Sequence, residues 1–546
     1  MKRSDIQSEL IRSFGQMDPS QGGAVIVWHD PEGEFEETLD ELELPGIEVI
    51  REQENHAFEL KCAMNEDLAG RSILLYRKRS RVLEGDWLAD IEMRAERFSA
   101  DYASVQLREI NAEDTPEMRA LLAEHKALLS KKRTVKRLCA LRTSYTDPKQ
   151  VEAALIAAIV ETDSLEPASI LRTWLLGMGG EACEHLTEAL EKNGLLETFA
   201  TMIHAWTGFE GDITDEAELS QHILLSCAAP HLGETALSSL SARFNVNAAR
   251  FCNDLYETWL RSNNGAGIDT LREACLNVED SYALPSLLDA APTEMLLQCD
   301  TFPCIDATIL ERLIAEVAQP DGDYQRILAH AAERRSHVWY RDFEVYYRAV
   351  TAAAHMQDMH RSCAGAIDTG TPKEIWNAYT TDLCSMDRWY REFNESLAAA
   401  LKHSCYGLDD ALKSCSASIE ALYKNWFLRE LSKRWLSACA DDLSTKGHAN
   451  GIPLQLDFDM AEVGPLTRTS KRAWIIVSDA LRYEVAQELG EVIQHETRCA
   501  CELDAMQSVF PSITKCGMSA LLPAGTFRME QGADGLDVLV DGSVAA

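Results

Sequence analysis

The sequence predicts a multidomain α/β protein: a small N-terminal parallel α/β domain, a large mostly helical middle, and the beginning of an incomplete α/β domain on the C-terminal side. Three observations carry this. The chain has 546 residues and a mass of 60.8 kDa, more than one hydrophobic core can serve at roughly 150 residues per domain. Short apolar runs bounded by turn residues occur near both ends. Between them, apolar residues recur at helical spacing.

Near the N-terminus, GGAVIVWHD (Gly22–Asp30) reads as a buried strand and Asp30-Pro31-Glu32-Gly33 as a turn. A helix over Glu34–Leu42 follows, with Phe35, Leu39 and Leu42 on one face. Pro45-Gly46 ends it, and Ile47–Ile50 and Arg71–Tyr76 are further strands. Hydrophobic strands alternating with helix imply a small parallel sheet covered on both faces, in a domain spanning 1–100. Asp30 at a strand end superficially resembles a phosphoryl acceptor. Such a site needs a second acidic cluster, and Glu52 and Glu54 are only loosely placed for it. The favoured reading is a turn-forming Asp30 in a structural or partner-docking domain, with His29 packed or hydrogen-bonded. Neither a G-x-x-x-x-G-K-[ST] loop nor a G-x-G-x-x-G fingerprint is present.

From about residue 81 to 450 the pattern is helical. Residues 101–335 read as a domain of short helices without a repeat period. Its basic run Lys131, Lys132, Arg133, Lys136 and Arg137 could dock nucleic acid or an acidic partner, but a solvated helix face is the favoured reading. A long-helix domain over 336–450 contains Thr371-Pro372-Lys373-Glu374, a helix-start signal. It also carries two apolar stripes, Trp339, Phe343, Tyr347, Val350 and Ile375, Tyr379, Leu383, Met386, Tyr390, Phe393, which read as packing surfaces. KGHANGIP, residues 446–453, has linker composition, and the α/β rhythm returns beyond Lys471.

Composition narrows the function classes. With 52 basic and 88 acidic residues, the formal net charge is -36, which argues against wrapping duplex nucleic acid across the whole surface. A local basic patch or a metal can still hold a phosphate. The 16 cysteines include no CxxC and read as reduced, mostly buried thiols. Cys499 and Cys501 are expected on one strand face, packed rather than metal-bound. The most apolar runs, Ala24–Trp28 and Ala473–Val477, are strand-sized, so no membrane span is expected. The N-terminus has no apolar h-region, and a cytoplasmic location is expected.

The chemistry concentrates in two stretches. In KRAWIIVSDALRYEVAQELG, Ala473–Val477 is predicted as a central strand buried on both faces, ending at Ser478-Asp479-Ala480. A helix from Leu481 to Leu489 follows, with Leu481, Val485 and Leu489 inward. Open parallel sheets bind ligands at the carboxyl ends of their strands. Asp479 can there present oxygen to a metal, or simply cap the next helix. In CELDAMQSVFPSITKCGMSALLPAG, a short helix opens around Ile513–Met518 and finishes before Pro523. Thr514 is better placed than Ser512 for a nucleophile stabilised by metal and backbone N–H groups, with an N-cap as the alternative. Lys515 either contacts a phosphate or is solvated.

The pairing of IIVSDALRYEVAQEL with VFPSITKCGMSALLP closely resembles the PglZ proteins of BREX phage-defence systems, members of the alkaline phosphatase superfamily. GAVIVWHDPEGEFEETL is similar to their amino-terminal start, so the likeness spans both ends and, more loosely, the helical middle. It implies that residues 451–546 begin an alkaline-phosphatase-like α/β/α domain using two divalent metals, commonly zinc. In that resemblance Asp479 matches the metal-ligating aspartate after the first core strand. Thr514 matches the hydroxyl nucleophile or metal-proximal residue. The implied activity is hydrolysis of a phosphate mono- or diester, nuclease-like action included, in antiviral defence. The implied partners are the other BREX proteins, namely a methyltransferase, ATPases and small accessory proteins. DNA contact is expected to be weak or indirect.

The sequence departs from that pattern in its late ligands. The superfamily supplies most of them as Asp and His at later strand ends. Here the residues after Thr514 include Asp534, Asp537 and Asp541 but no histidine, and the one histidine after Asp479 is His495. The remaining ligands are therefore expected beyond this chain, which reads as the amino-terminal portion of a longer protein. No bound catalytic metal and little hydrolysis are expected from it. The competing expectation is a non-catalytic scaffold that assembles the BREX complex through its N-terminal and helical domains.

Overall fold

A computed structural model of the chain describes residues 3–17, 23–31, 33, 35–98, 102–177, 181–261, 265–363, 367, 370–469, 472–532 and 535–545. Gly22, Glu32, Glu34, Lys471 and Asp534, all named above, lie outside the described residues. The chain divides into two compact units, Met1–Cys227 with Ala242–Ala274, and Ala228–Ser241 with Cys275–Ala546. Among the described residues no helix is long and apolar enough to cross a membrane.

The first unit opens with the predicted parallel sheet. Strands β1 (Val25–His29), β2 (Ile47–Arg51), β3 (Ser72–Arg77) and β4 (Glu96–Phe98) lie in the order β2-β3-β1-β4. All neighbours are parallel, with Val27 opposite Leu75 and Arg97. Alternation along β1 and β3 sends Ile26, Trp28, Leu74 and Tyr76 to one face, where Ile6 and Leu10 of the helix Arg3–Gln16 cover them. Val27, Ile73 and Leu75 go to the other face, against Met64 and Leu88. The sheet is thus covered on both faces, as the hydrophobic runs require. Two of its elements are not evident from the sequence. The helix Arg3–Gln16 is mostly polar, and β4 is a short edge strand of which only Phe98 is buried. Gly23 precedes β1 because a Cβ there would stand 1.8 Å from the Arg71 carbonyl oxygen.

The rest of the first unit is short helices, including the basic helix Lys132–Leu141. The second unit is built on longer ones: Pro303–Val317, Tyr324–Arg334, Tyr340–Ser362, Cys384–Ala400, Leu408–Ala421 and Arg429–Lys446. The capping box is formed as the sequence predicts. The Glu374 backbone N–H donates to Thr371 Oγ1 at 3.3 Å and the Thr371 N–H to Glu374 Oε2 at 2.8 Å. The stripe Trp339, Phe343, Tyr347 and Val350 is buried core. Beneath it lies an ion pair that the periodicity does not reveal. Arg334 and Asp306 are both fully buried, and Arg334 donates to Asp306 Oδ1 at 2.9 Å and Oδ2 at 2.6 Å.

The C-terminal segment departs most from expectation. Residues 473–477 form no regular secondary structure and pair with no strand among the described residues. Trp474 and Ile476 are 86% and 91% exposed rather than buried. A central strand needs neighbours on both edges, and the described strands that follow form a separate antiparallel sheet. Its members are β5 (Phe527–Gly532), β6 (Gly535–Val540) and β7 (Ser543–Val544), in the order β5-β6-β7. The next helix runs Tyr483–Glu496, starting later than predicted and turned the other way. Leu481 and Leu489 are 43% and 48% exposed and Val485 is half-buried, while the polar side of the helix meets Cys384–Ala400. Arg388 there donates to Glu491 at 2.9 Å, Arg391 pairs with Glu488, and the Cys384 thiol reaches Gln487 Oε1 at 3.3 Å. Charge pairing decides this face, because no apolar layer among the described residues covers the leucine stripe.

Candidate functional site

The loop after residues 473–477 places Asp479 at an exposed turn, where Ala480 has a positive φ of 60°. Across from it, the helix Thr514–Ala520 begins, with Ile513 in an extended conformation at its cap and no side-chain cap bond. Thr514 is therefore the first helical residue and not the N-cap. Its hydroxyl donates to Asp479 Oδ2 at 3.1 Å. Two motifs 35 residues apart thus meet through the two side chains singled out in the sequence. Asp479 does not cap the following helix either: Arg482 occupies that cap position, without a side-chain bond.

The other nearby candidates have structural work. Lys515 Nζ donates to the Leu536 carbonyl at 2.7 Å and lies 3.5 Å from Asp537, which ties the Thr514 helix to β6. Its phosphate reading therefore loses ground to an anchoring one. Asp541 Oδ1 accepts from the Gly525 and Thr526 N–H groups at 2.9 and 2.8 Å and closes the hairpin. His495 is exposed near the end of its helix. Cys499 is exposed and Cys501 half-buried, and residues 499–501 form no strand, so the expected strand face is not there.

Metal fit follows from the donor set. Among the described residues, no group of three or more His, Cys, Asp or Glu side chains converges as a metal site. Asp479 and Thr514 supply one carboxylate and one hydroxyl, fewer donors than the closed or open coordination shells of a catalytic zinc. As they stand, these residues do not fit a two-metal centre.

Around the motif sit residues that sequence reading passed over. Arg482 Nη2 lies 3.0 Å from Asp387 Oδ1 and its Nε lies 2.8 Å from Glu484 Oε1, with Asp387 and Glu484 both buried. The signal was present: Arg482 and Glu484 stand in the quoted motif itself, three and five positions after Asp479. Asp387, in the first turn of the helix Cys384–Ala400, had none.

In the N-terminal sheet, Asp30 is only 3% exposed, and its Oδ2 accepts from the Phe35 N–H at 2.8 Å and the Tyr76 hydroxyl at 2.7 Å. It shapes the strand end, as favoured, and is closed to a phosphoryl donor. His29 Nδ1 contacts the Arg79 carbonyl at 3.0 Å and Nε2 lies 2.8 Å from Glu92. Burial holds its pKa down, with Glu92 opposing. Glu52 is not loose: with Asp86 and Glu92 it surrounds the fully buried Arg77, at 2.7 Å for Glu52 and for Asp86. In the basic helix, Arg137 lies 3.7 Å from Glu161 and 3.4 Å from Asp163, and Arg133 also pairs with Glu161. Two of the five cations are thus drawn into local pairs.

Residues 458–545 match the PglZ family, described as the BREX system PglZ alkaline phosphatase-like domain. Across 529 residues, 91% of this chain and 59% of the relative, the sequence is 28% identical to the alkaline phosphatase-like protein BrxZ of Escherichia coli O9:H4 (strain HS). It is 23% identical over 523 residues, 93% of this chain and 59% of the relative, to the alkaline phosphatase-like protein PglZ of Bacillus cereus (strain H3081.97). No solved structure matches. The chain spans 59% of the length of either relative. The resemblance read from the motifs therefore holds along nearly the whole chain, which is similar to the PglZ and BrxZ proteins and carries, near its C-terminal side, a match to the alkaline phosphatase-like domain of BREX systems.

Proposed function

We propose that this chain is the amino-terminal part of a BREX phage-defence protein whose alkaline phosphatase-like domain hydrolyses phosphoesters with Thr514 as nucleophile and Asp479 beside it. The observation that carries this reading is the 3.1 Å hydrogen bond from Thr514 Oγ1 to Asp479 Oδ2. A hydroxyl that donates to a carboxylate keeps its lone pairs for attack and has an acceptor for its proton. Two divalent metals, zinc by family resemblance, would need further ligands, which we place in the part of the relatives that this chain does not span. Trp474, Ile476, Leu489 and Phe510, exposed at 86%, 91%, 48% and 70%, support the same completion. An exposed apolar segment and helix face of this kind is what the interior of a completed sheet domain would bury. By itself, this chain is expected to hydrolyse nothing.

The test is a protein extended to the length of the relatives, assayed on a generic phosphodiester with added zinc. Thr514→Ala and Asp479→Ala should each lower the rate at least about a thousandfold. Activity unchanged by both substitutions would sink the assignment.

A second reading, assembly of BREX proteins, has its own observation. Beside a cleft of about 780 Å³ at the carboxyl edge of the N-terminal sheet, Phe58 and Trp87 make an edge-to-face pair at 5.1 Å while 57% and 58% exposed. Exposed aromatic pairs beside a cleft are typical anchors for a protein partner. Retention of other BREX proteins by the chain, weakened by Phe58→Ala and Trp87→Ala, supports this reading, and failure to retain any of them counts against it.

A further inference from the structure

The turn that carries Asp479 is not self-supporting. Ala480 sits in the left-handed region, which a residue with a Cβ adopts only when its surroundings hold it there. The restraint comes from the helical block. Asp387 Oδ2 accepts from the Tyr379 hydroxyl at 2.6 Å, and its Oδ1 accepts from the Tyr423 hydroxyl. Both tyrosines lie on π-helical turns, Tyr379–Leu383 and Leu422–Leu428. Such turns are rare, and they re-aim side chains at functional sites. Tyr423 is further fixed by stacking on Tyr390 at 3.7 Å and 5°. Burial raises the Tyr379 and Tyr423 pKa values, Tyr423 to about 12, with the bonds to Asp387 adding to it, so both phenols remain donors.

The carboxylate so held faces the hydrolase motif. It takes Arg482 Nη2 at 3.0 Å, while Arg482 Nε lies 2.8 Å from the fully buried Glu484. Next to it the Tyr483 hydroxyl donates to the Thr380 carbonyl at 3.2 Å, on the same π-helical turn as Tyr379. We propose that Asp387 is a positioning residue: anchored by Tyr379 and Tyr423, it clamps Arg482 and thereby holds the Asp479 turn in register with Thr514. Its consequence for catalysis rests on the phosphoester-hydrolase reading above, whereas the clamp itself does not.

Hydrogen–deuterium exchange on the 546-residue chain tests the clamp. Asp387→Asn keeps the size of the side chain and removes its charge. The amides of residues 483–488 should then exchange about tenfold faster, the loss expected for a hydrogen bond to a charged group, with helix Pro303–Val317 unchanged. Arg482→Lys, at a half-exposed position, keeps the charge but not the planar fork, and should give a smaller rise. If Asp387→Asn unfolds the helical block, this second variant carries the test. Unchanged exchange at 483–488 in the folded variants overturns the clamp. In the protein extended to the relatives' length, Asp387→Asn should lower kcat about tenfold with KM nearly constant. Faster exchange with unchanged kcat would overturn the positioning role. An extended wild type without hydrolysis would overturn the enzyme reading, and the exchange result would then decide the clamp on its own.

Discussion

Removal of the Asp306 carboxylate should unfold part of the second unit, and the structure sets the size of the effect. Arg334 is fully buried and divides its donors among Asp306 at 2.9 and 2.6 Å, the Leu297 carbonyl at 3.2 Å and the Cys299 carbonyl at 2.8 Å. Burial alone would pull its pKa down, and the bonds to Asp306 outweigh that and hold it up. Tyr347 also donates to Asp306 Oδ1, at 2.5 Å. Asp306→Ala therefore strands a guanidinium and a phenol together. Breaking a buried pair from one side costs about 3–5 kcal/mol. The low end is expected here, because Asp300, 3.9 Å from Arg334, can take part of the charge. The assay is local exchange protection in helices Pro303–Val317, Tyr324–Arg334 and Tyr340–Ser362, since a chain of two units does not unfold in one step. Asp306→Leu with Arg334→Met should recover part of the loss, because no charge is then left buried and unpaired, although the Tyr347 hydroxyl and the Leu297 and Cys299 carbonyls lose their partners. A loss below about 1 kcal/mol for Asp306→Ala, or a double variant as unstable as the single one, would refute this account.

Two further expectations concern pH and nucleic acid. His355 stacks on Trp389 at 4.8 Å and burial holds its pKa below 6.5, with Asp358 and Glu392 opposing; the unfolded chain then binds the extra proton, so stability is full above 6.5 and is lost as pH falls through it, an acid limb that His355→Phe should flatten in thermal unfolding at about pH 7.5 and about pH 5.5. Lys131, Lys132 and Lys136 are exposed on the basic helix. If they contact phosphate, replacing them with Gln should lower the salt slope of DNA binding by about 0.9 per contact, and an unchanged slope rules that contact out.

The long, strongly patterned features were legible in the sequence. Hydrophobic strands alternating with helix specified a sheet covered on both faces, and the Thr371 box specified a helix start, because both signals are local. The meeting of Asp479 with Thr514 was expected only through the family resemblance, because the local spacing left a helix-capping reading open for both residues. Polar networks were not. Arg77 with its three acids, Arg334 with Asp306, and Arg482 with Asp387 join residues distant in sequence, and nothing in the spacing of one partner announces the other.

Sequence alone therefore determined the N-terminal parallel sheet, the helical character of the middle, and which family the chain resembles. Tertiary structure decided the rest. It left Leu489 and Val492 of Tyr483–Glu496 exposed and docked the polar face, because ion pairs to Arg388 and Arg391 were available. It left residues 473–477 unpaired, since a strand acquires its buried faces only from neighbours that the periodicity of one segment cannot supply.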